Sequence, residues 1–376
     1  IWYVGRRLRL RREHADERRR QQADETRRIV AEERTHIARE LHDVVAHQVS
    51  MMTVQAGAAQ AVAAVDPDGA RAAMAAVEQA GRQAPECDCR RTGNGVSESA
   101  VVRELCQAQG VKRLCVETDY LTHDEYLALE KALEGVELIP LSELPQELRL
   151  IKDAGEIESI QKAAAISCRA FDNLLGKIHP GMTEKQVQIM LDYEMLSLGG
   201  EGNAFDTIAA AGANGSLPHA IPSDHVIENG ELLTLDFGAK VNGYCADMTR
   251  TVGFGKINAE LRELYQRVLD AQLMALDAVR PGAVCGDVDR IARDFIDARY
   301  PGAFGHSLGH GVGLFIHEQP RVAHGSSTVL VPGHVITIEP GIYIPGLGGC
   351  RIEDMAIITS DGYIDPITAP KQLIEL

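Results

Sequence analysis

Two aspartates eleven positions apart carry the first chemistry that this sequence offers. Asp236 lies in Leu-Thr-Leu-Asp-Phe-Gly, whose alternating residues are typical of a β-strand, and Asn242-Gly243 is a strong hairpin turn. A two-residue turn there places Asp236 opposite Thr249 and diagonal to Asp247. Diagonal neighbours on one face of a sheet lie within about 8 Å. The pair therefore predicts a dinuclear metal site, because two carboxylates so close repel each other without cations and one tends to bind a proton.

A second pair of acidic residues repeats this arrangement. Glu339 ends the strand-like run Thr337-Ile338, and a turn predicted over 345–349 returns the chain through Arg351 to Glu353. The sequence therefore predicts two hairpins, each of which presents two carboxylates.

The segment 304–318 between these hairpins is rich in glycine and contains His306, His310 and His317. Glycine permits close approach of backbones, and histidine binds metals and transfers protons near pH 7. Carboxylates outnumber imidazole four to one in the predicted ligand set, which favours Mn²⁺ first and Co²⁺ or Zn²⁺ after it. The candidate metal ligands from the residues alone are Asp236, Asp247, Glu339 and Glu353 with an imidazole from this segment.

The elements around these residues predict an α+β fold with two β-rich halves, each paired with helices. Long helices are expected over 152–175, after a cap at Thr183, and over 259–279 and 288–299. Strands are expected over 207–211, 231–238, 244–253, 314–317, 334–339 and 355–358. Before them, strands over 113–117 and 136–139 with a helix over 123–133 indicate a small α/β piece.

Composition narrows the classes of function. The 376 residues have a net charge of −16, which argues against nucleic acid as the main partner. No apolar run approaches the ~18 residues of a membrane span. The 8 cysteines are scattered, so we expect reduced thiols and a cytoplasmic location. Cys87 and Cys89 form the one close pair, and no further zinc ligands lie at a suitable spacing.

The order Asp, Asp, His, Glu, Glu and the flanking runs LTLDFGAKVNGYCADMTRT, GHSLGHGVGLFIHEQP, TIEPGIYIPGLGG and RIED resemble the M24, or pita-bread, metallopeptidases. Within that family the sequence is most similar to the Xaa-Pro dipeptidase and aminopeptidase P branch, and the resemblance covers residues 77–376. It implies a two-metal hydrolase that cleaves the bond before proline in Xaa-Pro dipeptides or at peptide N-termini. It also implies a homodimer.

The resemblance also implies roles for individual residues. Asp236 would chelate one ion, Asp247 and Glu353 would bridge both ions, and His310 and Glu339 would complete the other site. His219 and His317 match the histidines that contact the scissile carbonyl and stabilise the tetrahedral intermediate. His306 and Arg351 match positions that line the proline-side pocket.

The implied mechanism follows from the charges. Two divalent ions lower the pKa of a bridging water toward ~7, so that hydroxide is available to attack the carbonyl. Glu339 would take the proton and pass it to the leaving proline nitrogen, which makes it a catalytic residue together with His219 and His317.

The N-terminal part of the chain resembles a different family. Residues 6–63 have the composition of a long helix, a turn follows at 66–69, and a second helical stretch runs over 70–83. The run around His42-Asp43 resembles the phosphoacceptor helix of NarL/DesK-type sensor histidine kinases, with His42 as the possible phosphoacceptor. No Asn-box helix and no Gly-rich ATP lid follow it, so a helical hairpin without kinase chemistry is expected.

Three domains are therefore expected: a kinase-like helical hairpin over 1–85, a truncated creatinase/prolidase-type α/β domain over 86–150, and an M24 catalytic domain over 151–376. The combination indicates a fusion. Two alternatives stay open. One is a signalling or dimerisation fragment that carries the peptidase fold as a passenger. The other is a pita-bread hydrolase of the creatinase type that does not cleave peptides, against which the complete ligand set counts.

Overall fold

The computed structural model describes residues 97–118, 120–140 and 144–376. The predicted hairpin over 1–85, His42 and the pair Cys87/Cys89 lie outside the described residues. Val102–Leu376 form one compact unit, which contains the predicted metal ligands.

The small α/β piece contains the two predicted strands and the predicted helix. Helix α1 (Glu98–Gln109) leads to β1 (Arg113–Val116), α2 (His123–Ala132) and β2 (Glu137–Pro140), and the two strands pair in parallel. Thr122 and Glu125 form a capping box at the start of α2. Helices α1 and α3 (Leu144–Leu150) were not expected from the sequence.

Two long helices cover the first half of the catalytic region. They are α4 (Ala154–Leu175) and α5 (Glu184–Ser197), and each begins with a capping box. Thr183 caps α5 as predicted. Their apolar faces, with Phe171, Leu174 and Leu191, are buried against the strands of this half in one core cluster.

The first hairpin has the predicted register. Strands β5 (Leu232–Phe237) and β6 (Ala239–Val241) return through β7 (Tyr244–Cys245) and β8 (Met248–Gly253), and Asp236 lies opposite Thr249. Asn242 and Gly243 have φ angles of 50° and 77°, as a type I′ turn requires. Strand β4 (Ile208–Ala211) pairs with β5, and β3 (Gly202–Asn203) pairs with β6.

The second half of the catalytic region also consists of two helices packed on β-strands. Helices α6 (Ala259–Ala278) and α7 (Cys285–Asp297) cover a second core cluster. The strands are β9 (Gly309–Gly311), β10 (Glu318–Val322), β11 (Val335–Ile338), β12 (Gly341–Ile344), β13 (Gly348–Arg351), β14 (Asp354–Ile358) and β15 (Tyr363–Ile364). Five of them form one sheet in the order β10-β9-β11-β14-β15, and β12 pairs with β13. This is the predicted α+β arrangement of two β-rich halves.

The strand predicted over 314–317 is wrong. The chain bends there, and the strands lie on either side of it, at β9 and β10. Residue propensities do not predict strand β9, because glycine is disfavoured in strands. Here they permit close backbone contact: a Cβ at Gly309 would lie 2.0 Å from the Thr337 carbonyl oxygen, and one at Gly311 2.1 Å from that of Gln319. The turn predicted over 345–349 also ends earlier, since Gly348 and Gly349 belong to β13.

Within 97–376, apart from the short gaps, no helix is long and apolar enough to cross a membrane.

Candidate active site

All nine of the predicted site residues from the peptidase resemblance line one cavity of about 560 Å³. They are His219, Asp236, Asp247, His306, His310, His317, Glu339, Arg351 and Glu353. The cavity lies where the two hairpins meet, so residues from both halves of the sequence contribute to its wall.

Thr249 links the two hairpins. It lies opposite Asp236 in the first hairpin, and its hydroxyl donates to Glu353 Oε2 at 2.7 Å in the second. The Glu353 amide in turn donates to the Thr249 carbonyl at 3.1 Å. Pairing of β11 with β14 and of β12 with β13 follows one continuous register, which places Glu339 opposite Glu353.

His310 presents one nitrogen to the carboxylates. Its Nδ1 donates to the Gly311 carbonyl at 3.0 Å, which leaves Nε2 3.3 Å from Glu339 Oε1 and 3.5 Å from Asp247 Oδ2. A backbone bond of this kind fixes the tautomer and the ring orientation of metal-binding histidines. Asp247, His310 and Glu353 each offer an atom within 4.8 Å of the others.

The carboxylates destabilise one another's charged forms. Burial and then the charge of Glu353 raise the pKa of the Asp247 carboxyl well above its ordinary value. Burial and then the charge of Glu339 raise the pKa of Glu353 in the same way. This is the repulsion that the spacing of the two aspartates predicts.

Glu339 differs from its acidic neighbours. Burial opposes its ionisation, but the hydrogen bond and charge of His310, together with the charges of His306 and Arg351, lower the pKa of Glu339. The same pair keeps the pKa of His310 raised despite burial. Glu339 is therefore an acidic group of the cluster whose charged form is favoured by its neighbours.

The donor set fits divalent cations. Asp236 Oδ1 and Glu353 Oε1 are buried and have no hydrogen-bond partner within the described part of the chain, although buried polar atoms are normally satisfied. A cation would satisfy both oxygens and would relieve the repulsion among the acids. Carboxylate oxygens with one imidazole suit a hard or intermediate ion.

Two of the predicted histidines lie on irregular segments at the cavity. His219 follows a short 3₁₀ helix, Gly212–Ser216, and is exposed. His317 lies in the bend before β10, and its ring packs edge-on against His310 with centroids 4.4 Å apart. Both reach the cavity from outside the two hairpins.

The sequence of this chain matches known metallopeptidases over most of its length. The profile of metallopeptidase family M24 matches residues 158–360. The chain belongs to family M24. Peptidase YqhT of Bacillus subtilis is 42% identical over 284 residues, which are 75% of this chain and 80% of that one. An Xaa-Pro dipeptidase of Pyrococcus furiosus is 47% identical over 223 residues, 59% of this chain and 64% of that one.

Comparison of the fold with solved structures also finds metallopeptidases of this kind. A solved Xaa-Pro dipeptidase from Bacillus anthracis superposes with a TM-score of 0.74 at 42% identity, and the match covers 80% of this chain and 84% of that one. The pita-bread fold expected from the sequence is thereby confirmed. The N-terminal resemblance is also confirmed, because a histidine kinase profile matches residues 33–90.

Arg351, expected at the proline-side pocket of this M24 site, is buried with its donors directed at the protein. Nη2 donates to Asp236 Oδ2 at 2.5 Å, and Nε donates to the Thr249 hydroxyl at 3.1 Å. Nη1 donates to the Tyr343 hydroxyl at 2.6 Å and to the Pro218 carbonyl at 3.1 Å. The guanidinium therefore contributes positive charge beside the acids and fixes the wall of the cavity.

Tyr343 is a site residue that the sequence reasoning missed. Its hydroxyl accepts from Arg351 and lies 3.0 Å from His306 Nε2, while His306 Nδ1 donates to the Ser307 carbonyl at 2.8 Å. Burial lowers the pKa of His306, so the neutral ring accepts from the tyrosine. The alternation of residues along strand β12 could have indicated this position. Gly341 pairs with Arg351, and Tyr343, two residues later, lies on the same face of the strand.

Cys245 lies two residues before Asp247 but is packed in the first apolar core. It does not line the cavity.

We expect divalent ions to stabilise the folded chain through this cluster. Chelator-treated protein should gain thermal stability when Mn²⁺ is added, by about 2.7 kcal/mol at a hundredfold excess over the dissociation constant. Asp247→Asn should lose that gain without being less stable than the wild type in the metal-free state, because the substitution removes one repelling charge. Thermal unfolding with and without Mn²⁺ measures both effects.

Asp224→Asn, at an exposed aspartate paired with Lys185, serves as the matched control and should keep the full gain. An undiminished Mn²⁺-dependent gain in Asp247→Asn would contradict the assignment of the cluster.

Proposed function

We propose that this chain is a metal-dependent peptidase that hydrolyses the bond before proline in Xaa-Pro dipeptides or at peptide N-termini. The observation that carries the proposal is the convergence of four acids and four histidines from the predicted set on one cavity of an M24 fold. The names of the relatives, Xaa-Pro dipeptidases among them, support the substrate class. The unpartnered oxygens of Asp236 and Glu353 count against a creatinase-type hydrolase that works without metals.

The proposed metal ligands are those expected from the sequence. Asp236, Asp247, His310, Glu339 and Glu353 would together hold two divalent ions. The four-to-one ratio of carboxylate to imidazole favours Mn²⁺, with Co²⁺ or Zn²⁺ as alternatives. When bound, such ions supply a hydroxide nucleophile near neutral pH and polarise the carbonyl of the substrate.

Glu339 is the proposed general base and acid. Its low pKa beside His310 keeps its carboxylate able to accept the proton of the attacking water. The same carboxylate would then deliver the proton to the prolyl nitrogen as the bond breaks. The imide nitrogen before proline needs this proton, since it leaves as an amine.

The histidines and Arg351 complete the proposed site. His219 and His317 would donate to the carbonyl oxygen as negative charge develops there. His306 would contact the proline ring from its position beside Tyr343. Arg351 would act on the proline-side pocket by holding Tyr343 and the Pro218 carbonyl in place.

An exposed cation at the cavity favours dipeptides over longer peptides. Arg321 is exposed, lies on β10 and lines the cavity. A guanidinium there would bind the carboxylate of a proline that ends the substrate.

Hydrolysis of a small Xaa-Pro panel by Mn²⁺-loaded protein tests the proposal. The panel pairs each dipeptide with its C-terminal amide and with an Xaa-Ala dipeptide. We expect cleavage of Xaa-Pro, none of Xaa-Ala, and weaker binding of the amides. Absence of cleavage of every Xaa-Pro substrate by protein that holds its metal would refute the function.

Glu339→Gln and His306→Ala should affect different kinetic constants. General acid–base groups contribute about 10²–10⁴-fold, so Glu339→Gln should lose at least a hundredfold in kcat. His306→Ala should mainly raise KM, because it removes a contact made in both the ground and the transition state. Steady-state kinetics with metal content measured in each variant checks this. Equal losses in kcat would contradict the two roles.

We further propose the three-part division expected from the sequence: a kinase-like hairpin over 1–85, a truncated α/β domain over 86–150 and the catalytic domain over 151–376. The histidine kinase match over 33–90 supports a signalling or dimerisation origin for the hairpin. A homodimer and a cytoplasmic location complete the proposal.

We expect the hairpin to be dispensable for chemistry and His42 not to be phosphorylated by this chain. Every proposed metal and proton-transfer group lies between His219 and Glu353, so deletion of residues 1–75 should leave kcat per folded molecule unchanged. Incubation of the purified full chain with labelled ATP, with His42→Ala as the blank, tests whether His42 is phosphorylated. Phosphate transfer to His42 would overturn the peptidase-only proposal.

A further inference from the structure

Glu184 is a buried carboxylate that the proposed chemistry does not use. It is the first residue of α5 and is 0% exposed. Its Oε1 accepts from the Ala211 amide at 2.6 Å, and its Oε2 accepts from Asn214 Nδ2 at 2.7 Å and from the amide and hydroxyl of Ser223 at 2.8 and 2.7 Å. Four hydrogen bonds to charged oxygen satisfy a group whose burial is otherwise costly.

These donors surround His219 along the chain. Ala211 and Asn214 precede it and Ser223 follows it. Asn214 Nδ2 also lies 3.3 Å from the Ile221 carbonyl, which ties the two arms of the loop to each other. Glu184 therefore closes the loop 211–223 from inside the protein.

His219 lies on an irregular part of this loop. It is exposed, it is followed by no regular element before β5, and the loop contains only the short 3₁₀ helix 212–216. The carbonyl of the neighbouring Pro218 accepts from Arg351, which is the loop's anchor on the cavity side. The position of a side chain on such a loop depends on the bonds that fix its two ends.

We propose that Glu184 is a positioning residue that fixes the loop 211–223 and so directs His219 to the reacting carbonyl. The inference rests on the role proposed for His219. A carboxylate suits this position because its oxygens accept from every donor and because it lies at the N-terminus of a helix. Glutamine has the same shape, but its NH₂ group would face donors.

Glu184→Gln tests the inference in two backgrounds. In the wild-type background we expect kcat/KM on an Xaa-Pro dipeptide to fall about tenfold, within the range of couplings measured in one hydrogen-bond network. In the His219→Ala background the same substitution should cause no further loss, since the side chain to be positioned is absent. Hydrogen exchange should also become faster in the amides of 211–223.

Glu194→Gln is the matched control on the same helix. Glu194 is buried, binds Lys177 and Asn173, and does not line the cavity. Its substitution should lower thermal stability while leaving kcat/KM and exchange in 211–223 unchanged. Ser223→Ala removes one of the four donors and should reproduce part of the effect should Glu184→Gln fail to fold.

The outcomes separate this inference from the proposed function. An equal loss of kcat/KM in both backgrounds, or unchanged exchange in the loop, would overturn the positioning role. A His219→Ala variant with full activity would instead refute the role of His219. The exchange measurement would then still decide whether Glu184 holds the loop.

Discussion

The repulsion among four buried carboxylates is the constraint on which this structure depends. Burial disfavours the charged forms of Asp247 and Glu353, and the charges of neighbouring acids raise the pKa values of both groups further. The protein supplies part of the compensating charge through Arg351 and His310. Asp236 Oδ1 and Glu353 Oε1 have no hydrogen-bond partner among the residues that the structure describes, and that deficit suits the cavity to divalent cations. Removal of the compensating Arg351 would leave buried acids uncompensated and would therefore be costly.

Rigid attachment of the two hairpins keeps the acids together against that repulsion. Arg250, whose guanidinium is buried, donates to the backbone carbonyls of Thr249 and Glu353 at 2.9 and 2.6 Å. It also pairs with Asp354 at 2.7 Å and donates to the Ala369 carbonyl at 2.8 Å. One side chain thus joins a strand of each hairpin to the C-terminal segment. Cations would add to a site whose backbone geometry is already fixed, which is the condition for preorganised catalysis.

The groups proposed to act on the substrate are supported differently from the metal ligands. The acids lie on or at the ends of paired strands, whereas His219 and His317 lie on irregular segments that need side-chain anchors. Glu184 provides such anchors for the segment that carries His219. On the segment that carries His317, Glu318 accepts from the Phe315 amide at 3.0 Å and forms a buried ion pair with Lys152 at 2.9 Å. Buried carboxylates outside the reaction therefore hold the loops that reach it.

The sequence by itself determined the parts of this protein that depend on local pattern. The turn at Asn242-Gly243 fixed the register that sets Asp236 opposite Thr249, and the cap at Thr183 fixed the start of α5, because both signals lie within a few residues of the structure they produce. Tertiary structure alone decided the rest. The glycine strand β9 contradicts its own propensity because its backbone must approach Thr337 and Gln319. Tyr343 and Glu184 gained their roles from partners 8 to 39 positions away, and no local pattern encodes such a distance, since only the packed fold brings those atoms together.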